Sequence, residues 1–288
     1  MSFFRYPGGK SKLKKEIVGK IKSQIGFETF QYREPFFGGG SIGLDLLYCG
    51  NIKQVWINDK DIGISCLWTS ILKYCDEFKQ RISSFVPSVK LFYEIKEELL
   101  LLSDLPKSRE GIVDIGFKKL AIHQISYSGL GTKSGGPLGG LTQGSNYKID
   151  CRWSPDYICK KVEKIHKMFL GVSVIEDECT RHDFSKLIEA EGDKVIIYLD
   201  PPYFIKGNVL YQCGFSQEDH ERLSQNLKKT NHLWVLSYDD CPEVRDIYSW
   251  ANVVELNVNY TITALKDKET GERLSRSKSE LVISNGKI

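Results

Sequence analysis

The run from Val195 to Tyr203 constrains the fold of this chain more than any other segment. It reads Val-Ile-Ile-Tyr-Leu-Asp-Pro-Pro-Tyr, an apolar stretch that stops at two consecutive prolines. Proline cannot continue a central strand, so the chain must leave the sheet there. In open α/β sheets, ligands bind in the crevice beyond the strand ends. Asp200 and the Pro201 carbonyl can accept two N–H bonds while the Tyr203 ring stacks, which suits a planar exocyclic amine. The alternative is a strand that ends in an ordinary turn.

Apolar periodicity outlines an α/β fold class. Short apolar runs predict strands at 30–34, 55–57, 172–175, 195–199, 233–237, 253–258 and 280–284. Helical spacing predicts helices at 41–49, 62–102, 112–127 and 155–169, and the glycine-rich loop is predicted at 128–146. The sequence therefore predicts one parallel-rich sheet domain from residues 1–61 and 171–288, with a mostly helical insert at 62–170.

Composition argues against membrane and secreted classes of protein. The 288 residues are 41% hydrophobic and 27% charged, and no run approaches the roughly 20 apolar residues of a membrane span. The first 25 residues carry seven Lys or Arg and no apolar signal-peptide core. Eight cysteines form no C-x-x-C pair, and Cys179 with His182 lacks a second pair. We therefore expect reduced thiols, no metal site and a cytoplasmic location.

A glycine-rich motif between the first strand and the first helix marks a second candidate site. Gly38, Gly40 and Gly43 match G-x-G-x-x-G, and Asp59 follows the second strand where a ribose-binding acid is expected. A nicotinamide enzyme also fits this pattern. Glu34 argues against that enzyme, because a carboxylate at the mouth of the site repels a pyrophosphate. The same carboxylate suits the ammonium and sulfonium of S-adenosylmethionine.

A third motif lies near the start of the sequence. The segment from Phe4 to Lys10 reads Phe-Arg-Tyr-Pro-Gly-Gly-Lys. Its Pro-Gly-Gly turn lets the backbone approach a ligand closely and aims Lys10 at it. Taken alone, the segment is explained more simply as a turn before an amphipathic helix.

Together these motifs resemble the Dam-type (D12 class) family of N6-adenine DNA methyltransferases. The resemblance also includes Asp183-Phe184 and the final strand, and the segments occur in the family's order. It implies a seven-stranded, S-adenosylmethionine-dependent methyltransferase (Rossmann-like) sheet with a mostly helical target-recognition insert. It implies catalytic roles for Asp200, Pro201, Pro202 and Tyr203. It implies cofactor binding by Tyr6, Lys10, Glu34, Pro35, Phe36, Gly38, Gly40, Ser41, Asp59, Asp183, Phe184 and Asp200.

The resemblance also assigns individual roles. Asp59 would bind the ribose hydroxyls, and Asp183 with the Phe184 amide would read the cofactor's adenine. Asp183 could instead cap a helix that begins at Phe184. Asp200 and the Pro201 carbonyl would draw the target nitrogen toward tetrahedral geometry, without a metal. Because the target base is paired inside a duplex, it must be flipped out, and Tyr203 would stack on it.

Positive charge is concentrated in two stretches, which suggests surfaces that face double-stranded DNA. Residues 1–25 hold seven Lys or Arg against one Glu, and residues 116–170 hold nine against three Asp or Glu. Arg and Lys pair with guanine, and Asn and Gln with adenine. On this basis the candidate base readers are Lys133, Gln143, Asn146, Lys148 and Arg152, each of which is also explained as a phosphate contact. The basic helix face supplies Lys160, Lys161 and Lys164 as candidate phosphate contacts. Each of them is also explained as a solvated surface residue.

Other classes of function remain open on the sequence. A nicotinamide oxidoreductase leaves Asp200 to Tyr203 unexplained, and a non-catalytic DNA-binding relative would be expected to have lost catalytic groups. A methyltransferase for RNA or protein amides shares the chemistry, but the protein-amide enzymes favour Asn where this chain has Asp200. The insert departs from members that recognise GATC, so we assign no recognition sequence. A cognate restriction endonuclease is a further partner that the resemblance allows, and a DNA enzyme of this kind would associate with the nucleoid.

Overall fold

The protein is built around a seven-stranded sheet. A computed structural model describes residues 3–4, 10, 13–26, 28, 30–50, 52–204, 214–266 and 273–286, with backbone alone for 257–266 and 273–278. The strands are β1 (Phe30–Glu34), β2 (Ile52–Ile57), β3 (Ser173–Val174), β4 (Val195–Leu199), β5 (Leu233–Asp239), β6 (Asn252–Lys266) and β7 (Arg273–Ser284). Their order across the sheet is β3-β2-β1-β4-β5-β7-β6.

The strand directions bring several chain segments to one edge of the sheet. β1 to β5 are parallel, and β7 is antiparallel to both β5 and β6. β4 is buried at all five positions, which is why its sequence is apolar throughout rather than alternating. Since the parallel strands share a direction, Glu34, Asn58, Asp200 and Asp239 all follow or end strands at the carboxyl edge. The predicted α/β methyltransferase-type sheet is confirmed.

Helices flank the sheet. Those described are α1 (Lys14–Ile25), α2 (Ser41–Tyr48), α3 (Ile62–Lys73), α4 (Cys75–Ser84), α5 (Val89–Leu101), α6 (Arg109–Ile125), α7 (Pro155–Leu170), α8 (Phe184–Glu189), α9 (Gln217–Lys229) and α10 (Pro242–Ile247). The helical stretch predicted at 62–102 is divided into α3, α4 and α5. The division falls where Tyr74 leaves helical geometry and where Pro87 precedes Ser88, whose side chain caps α5. Within the described ranges, no helix combines the length and apolarity needed to cross a bilayer.

Two hydrophobic cores lie on the two faces of the sheet. Ile196 and Tyr198 of β4 belong to one core, while Ile197 and Leu199 belong to the other, as the alternation of side chains along a strand requires. The first core contains residues of α1 to α7, and the second contains residues of α8 to α10. Helices of the predicted insert thus pack into the same core as the sheet. The division into a sheet domain and a recognition insert at 62–170 stays a prediction.

The crossing of α3 and α6 fixes where the insert meets the sheet. Gly116 lies at the contact, and a Cβ atom there would come within 2.7 Å of the Cys66 carbonyl oxygen. Glycine therefore lets the two helices approach closely. The C-terminal half of α6 reaches the carboxyl edge, because Lys119 pairs with Asp61 directly after β2. The glycine-rich loop (128–146) follows α6 and so begins at the same edge.

Candidate active site at the carboxyl edge

Asp200 lies at the end of β4 in contact with a residue from the start of the chain. Lys10 Nζ donates a hydrogen bond to Asp200 Oδ1 over 2.6 Å, and Ser237 Oγ donates to the same oxygen over 3.3 Å. The Lys10 side chain is 2% exposed and that of Asp200 is 18% exposed. Burial raises the pKa of Asp200 above its ordinary value, Lys10 lowers it, and Glu280 raises it further. The structure thus brings the first and third motifs together.

Two hydrogen-bond acceptors at this position remain open. Among the residues that the structure describes, no donor bonds to Asp200 Oδ2 or to the Pro201 carbonyl oxygen. Pro202 is half-buried and lines a neighbouring pocket. An ionised carboxylate oxygen and a peptide carbonyl are both acceptors, so the pair can take the two N–H groups of one amine.

The Tyr203 hydroxyl makes two hydrogen bonds, one as an acceptor and one as a donor. Lys10 Nζ donates to the Tyr203 oxygen over 2.7 Å, and the Tyr203 hydroxyl donates to Glu280 Oε2 over 3.2 Å. Lys10 Nζ also lies 4.6 Å from the centre of the Tyr203 ring and 3.8 Å from Glu280 Oε2. We name Lys10, Asp200, Tyr203 and Glu280 the edge cluster. The Tyr203 ring is 5% exposed, so stacking against a flipped base stays a prediction that requires the ring to be uncovered.

Asp59 organises the glycine motif after β1. Its Oδ2 accepts from the Gly38 backbone N–H over 2.7 Å, and its Oδ1 accepts from the Asp61 N–H over 2.9 Å. Gly40 has φ +63°, and a Cβ there would come within 2.9 Å of both Phe37 and Trp68, so the turn requires glycine. Burial raises the pKa of Asp59 to about 7. Asp59 is therefore positioned beside the loop where the sequence predicts it.

Glu34 is placed differently from the sequence prediction. Its side chain is buried beneath the first turn of α2, where it accepts from the Tyr32 hydroxyl over 2.6 Å. A Cβ on Gly43 would come within 2.7 Å of Glu34 Oε2, so this carboxyl group lies against the helix rather than at the mouth of a site. Burial raises the pKa of Glu34 well above its ordinary value. Direct contact between Glu34 and a cofactor stays a prediction, as it does for the adjoining Pro35 and for Ser41, the first residue of α2.

A small pocket of about 50 Å³ opens beside these residues. Its aromatic wall consists of Phe36, Phe184 and Phe215, whose ring centres lie 5.5–5.9 Å from one another. Pro202, from the Asp200–Tyr203 segment, lines another side of the pocket. The remaining lining residues are Pro35, Asn58, Lys60, His182, Gly214 and Asp219. Its aromatic wall can stack on a planar ring, and binding of the cofactor there stays a prediction.

Asp183 makes the helix cap that the sequence analysis offered as the alternative. It accepts from the Ser185 N–H over 3.0 Å at the start of α8. It also forms a bidentate pair with Arg222 over 2.7 and 3.0 Å, and that pairing holds the pKa of Asp183 well below its usual range. Arg222 packs 4.2 Å from the centre of the Phe184 ring. Phe184 is in the pocket wall, whereas adenine recognition by Asp183 stays a prediction.

A buried ion pair joins the region of the glycine motif to the predicted insert. Lys119 Nζ lies 2.6 Å from Asp61 Oδ2, and the two side chains are 4% and 8% exposed. Asp61 caps α3 by accepting from the Ile64 N–H, and its own N–H bonds to Asp59. Burial raises the pKa of Asp61, but Lys119 outweighs that effect and lowers it overall. The pair therefore connects α6 to the acid that shapes the glycine motif.

The predicted base readers in the glycine-rich loop have different environments. Both amide N–H groups of Gln143 donate to loop carbonyls, to Leu138 over 2.7 Å and to Gly140 over 2.6 Å. Its amide oxygen accepts from the Ile149 N–H over 2.7 Å. Gln143 thus organises the loop in this structure, and base reading by Gln143 stays a prediction. Lys148 donates to the Gln143 carbonyl, whereas Lys133, Asn146 and Arg152 are exposed and available to a groove.

The three lysines predicted on α7 have different neighbours. Lys161 Nζ donates to the Phe3 carbonyl over 3.3 Å, and Lys164 Nζ lies 5.3 Å from the centre of the Tyr48 ring. Tyr48 ends α2 just before β2 begins, so Lys164 is near the amino edge of the sheet. Lys160 lines the same surface groove as Tyr48 and Lys164. Their role as phosphate contacts stays a prediction.

Sequence reasoning missed several residues of the site. Glu280, Phe215 and Arg222 contact predicted residues but belong to no recognisable motif. The only signal that could have found them is proximity in the folded sheet. Tyr6 lies outside the described residues. Among the described residues, no group of three or more His, Cys, Asp or Glu is arranged to hold a metal ion.

Comparisons with known proteins identify the family. No curated protein matches this chain. Among solved structures, the chain is similar to precorrin 8W decarboxylase from Methanobacterium thermoautotrophicum, with 10% sequence identity and a TM-score of 0.40. The alignment covers 98% of this chain and 94% of that one. A model of the D12 class N6 adenine-specific DNA methyltransferases matches residues 6–128 and 160–262, which is well over half of the sequence. The chain therefore belongs to the D12 class N6 adenine-specific DNA methyltransferase family.

Proposed function

We propose that this protein transfers a methyl group from S-adenosylmethionine to N6 of an adenine flipped out of duplex DNA. The observation that carries the proposal is the pair of open acceptors at the end of β4, Asp200 Oδ2 and the Pro201 carbonyl. An exocyclic amine offers two N–H donors, and this pair matches them in number and chemistry. Family membership supports DNA adenine methylation as the reaction.

Asp200 must be ionised to accept an amine proton. Burial opposes ionisation, and the Lys10 ammonium at 2.6 Å favours it. Hydrogen bonds from the amine to Asp200 Oδ2 and Pro201 would orient the nitrogen lone pair toward the methyl group of the bound cofactor. Such positioning for in-line transfer can account for about 7–11 kcal/mol of a barrier.

The reaction balances without a metal. S-adenosylmethionine supplies an electrophilic methyl group on a sulfonium. A C–N bond forms as the C–S bond breaks, sulfur keeps the electron pair, and N6 loses one proton. Asp200 Oδ2 accepts that proton and passes it to water. The Asp59 carboxylate would hold the ribose, and the slot formed by Phe36, Phe184 and Phe215 would hold the adenine ring.

The target base must leave its duplex to reach this site. The Asp200 side chain is only 18% exposed at the carboxyl edge, and a base stacked in a duplex cannot reach it. The glycine-rich loop starts at the same edge through the Lys119–Asp61 pair, which supports it as the DNA-facing element. In the proposal, Lys133, Asn146 and Arg152 contact DNA there, and the enzyme works on nucleoid DNA in the cytoplasm.

Methyl incorporation from radiolabelled S-adenosylmethionine tests the proposal directly. Duplex DNA, RNA and a glutamine-containing peptide are offered in parallel, and we expect label in duplex DNA alone. Methylation-sensitive long-read sequencing of DNA from expressing cells then gives the base and its sequence context. Label in RNA or in the peptide would show that the proposed substrate is wrong.

The cofactor is tested separately by calorimetry. We expect S-adenosylmethionine to bind and NAD not to bind under the same conditions. NAD binding with no S-adenosylmethionine binding would favour the oxidoreductase alternative and contradict the proposal.

A further inference from the structure

Glu280 occupies a central place in the edge cluster although no motif predicts it. It lies on β7, directly opposite Asp239 of β5, and is 3% exposed. Its Oε2 accepts from the Tyr203 hydroxyl over 3.2 Å and lies 3.8 Å from Lys10 Nζ. A buried carboxylate is costly, so one kept beside the proposed reacting groups calls for an explanation.

The direction of each hydrogen bond in the cluster follows from the donors. A tyrosine hydroxyl has one proton, and here it points to Glu280. The Tyr203 oxygen is then left to accept from Lys10 over 2.7 Å. The same Lys10 ammonium donates to Asp200 Oδ1 over 2.6 Å. Removing the acceptor on β7 would free the hydroxyl to rotate and to compete with Lys10 for Asp200.

We propose that Glu280 is a positioning residue for methyl transfer: it fixes the Tyr203 hydroxyl and Lys10 so that Asp200 Oδ1 is occupied and Oδ2 is free for the target amine. Glu280 touches neither the amine nor the cofactor in this scheme and acts through Tyr203 and Lys10. The inference rests on the proposed function and adds a residue to its mechanism.

Charge gives the inference a second consequence. The ionisable groups that interact with Asp200 or its partners come from the N-terminal segment, β1, β4, residues 200–203, β5 and β7. They are Lys10, Tyr32, Glu34, Tyr198, Tyr203, Tyr238 and Glu280. Lys10 lowers the pKa of Asp200 and Glu280 raises it. Removing the charge of Glu280 should therefore lower that pKa, while removing the charge of Lys10 should raise it.

The kinetic experiment compares Glu280→Ala with Glu280→Gln. We expect Glu280→Ala to lower kcat about tenfold or more, the value of one hydrogen bond to a charged group, with little change in KM for S-adenosylmethionine. Glu280→Gln keeps an acceptor oxygen and should retain most of kcat. Glu255→Gln is the matched control, because Glu255 lies on the neighbouring β6, half-exposed and paired with Arg245. Thermal melting checks that each variant folds.

A double substitution shows whether Glu280 acts through Tyr203. In the Tyr203→Phe background the hydroxyl is absent, so Glu280→Ala should cause little further loss of kcat. The same tenfold loss in that background would overturn the inference. Wild-type kcat in Glu280→Ala would overturn it as well.

An NMR titration of the Asp200 carboxyl carbon gives a readout that needs no activity. Glu280→Gln should move its midpoint to lower pH and Lys10→Gln to higher pH. Absence of methyl transfer by the wild-type protein would refute the proposed function, and the titration would still test the arrangement around Asp200. An unchanged midpoint in Glu280→Gln would show that Glu280 does not act on Asp200.

Discussion

The edge cluster and the glycine-rich loop lie at the same edge of the sheet but are built in opposite ways. In the edge cluster, Lys10 bonds to residues 190 and 193 positions away, and its side chain is nearly inaccessible. In the loop, Gln143 bonds to residues only three to six positions away. Tyr127, Leu141 and Tyr147 at or near the loop are more than 60% exposed.

Under the proposed function, this difference separates the groups that perform chemistry from those that recognise DNA. Groups that stabilise a transition state work best when they are held in place before the reaction, because no reorganisation is then needed. A surface that reads a nucleic acid gains from adjusting to its partner, and locally bonded loops can move without disturbing the core. Substitutions in the edge cluster should therefore change rate, and substitutions in the loop should change sequence preference.

Substitution of Asp200 gives the largest expected effect on activity. Asp200→Ala should lower kcat by about 10²–10⁴-fold, the range for a positioned acid–base group, while the fold survives. Asp200→Asn should also be severely impaired, since its amide can present a donor to the amine. Methyl-transfer kinetics measure both, with Asp240→Asn as the control for an acid that pairs with Arg245 on the surface. Normal turnover by either variant would remove Asp200 from the mechanism.

The Lys119–Asp61 pair tests whether the edge depends on the insert for stability. Lys119→Met should lower the free energy of unfolding by about 3–5 kcal/mol, because Asp61 would remain as a buried charge without its partner. Lys118→Met on the same helix should cost at most about 1 kcal/mol, because its pairs with Glu98 and Asp114 are near the surface. Urea unfolding distinguishes the two. Equal losses of unfolding free energy would mean that the buried pair contributes no more to stability than the pairs near the surface.

Asp59 provides a pH test of the cofactor motif. Asp59→Asn should weaken S-adenosylmethionine binding by about 1.5–3 kcal/mol, the value of a charge-assisted contact, with little effect on DNA affinity. With a pKa of about 7, Asp59 is largely protonated below pH 7, so cofactor affinity should rise as pH increases through 7. The variant should lose that rise, which calorimetry can follow.

The same group affects stability with the opposite sign. The pKa of Asp59 is higher in the folded than in the unfolded protein, so its stabilising contribution is complete below the unfolded value of about 3.9. That contribution is lost as pH rises to about 7. Asp193→Asn, an exposed acid before β4, is the control for both measurements. A pH-independent cofactor affinity in the wild type would contradict the role assigned to Asp59.

The smallest effect is expected from single charges on the DNA-facing surface. Removing a lysine that contacts phosphate lowers the salt slope of binding by about one unit. We expect this for Lys133→Ala in the glycine-rich loop and little change for Lys164→Ala, which lies against Tyr48 toward the amino edge. Asn146→Ala and Arg152→Ala should instead alter the methylated sequence. A larger slope change for Lys164 than for Lys133 would show that DNA lies along α7.

The sequence predicted the sheet and the end of β4 well, because an apolar strand that runs into two prolines allows few other interpretations. Glycine spacing placed Asp59 beside the glycine motif, and the family resemblance joined Lys10 to the same site, where Lys10 contacts Asp200. It could not predict the hydrogen bonds of Gln143 or the burial of Glu34, because both depend on where a side chain points. The contacts of Glu280 and Phe215 with the site could not be predicted either, because they arise only from strand pairing and helix packing.

The edge cluster has a consequence for how the protein folds. Lys10 lies near one end of the described chain, and Glu280 lies near the other on a strand inserted between β5 and β6. Contacts between such distant positions form late, because the loop-closure entropy must be met first. A chain emerging from the ribosome can therefore build much of the parallel sheet before β7 is synthesised. The complete edge cluster, however, can form only after β7 has joined the sheet.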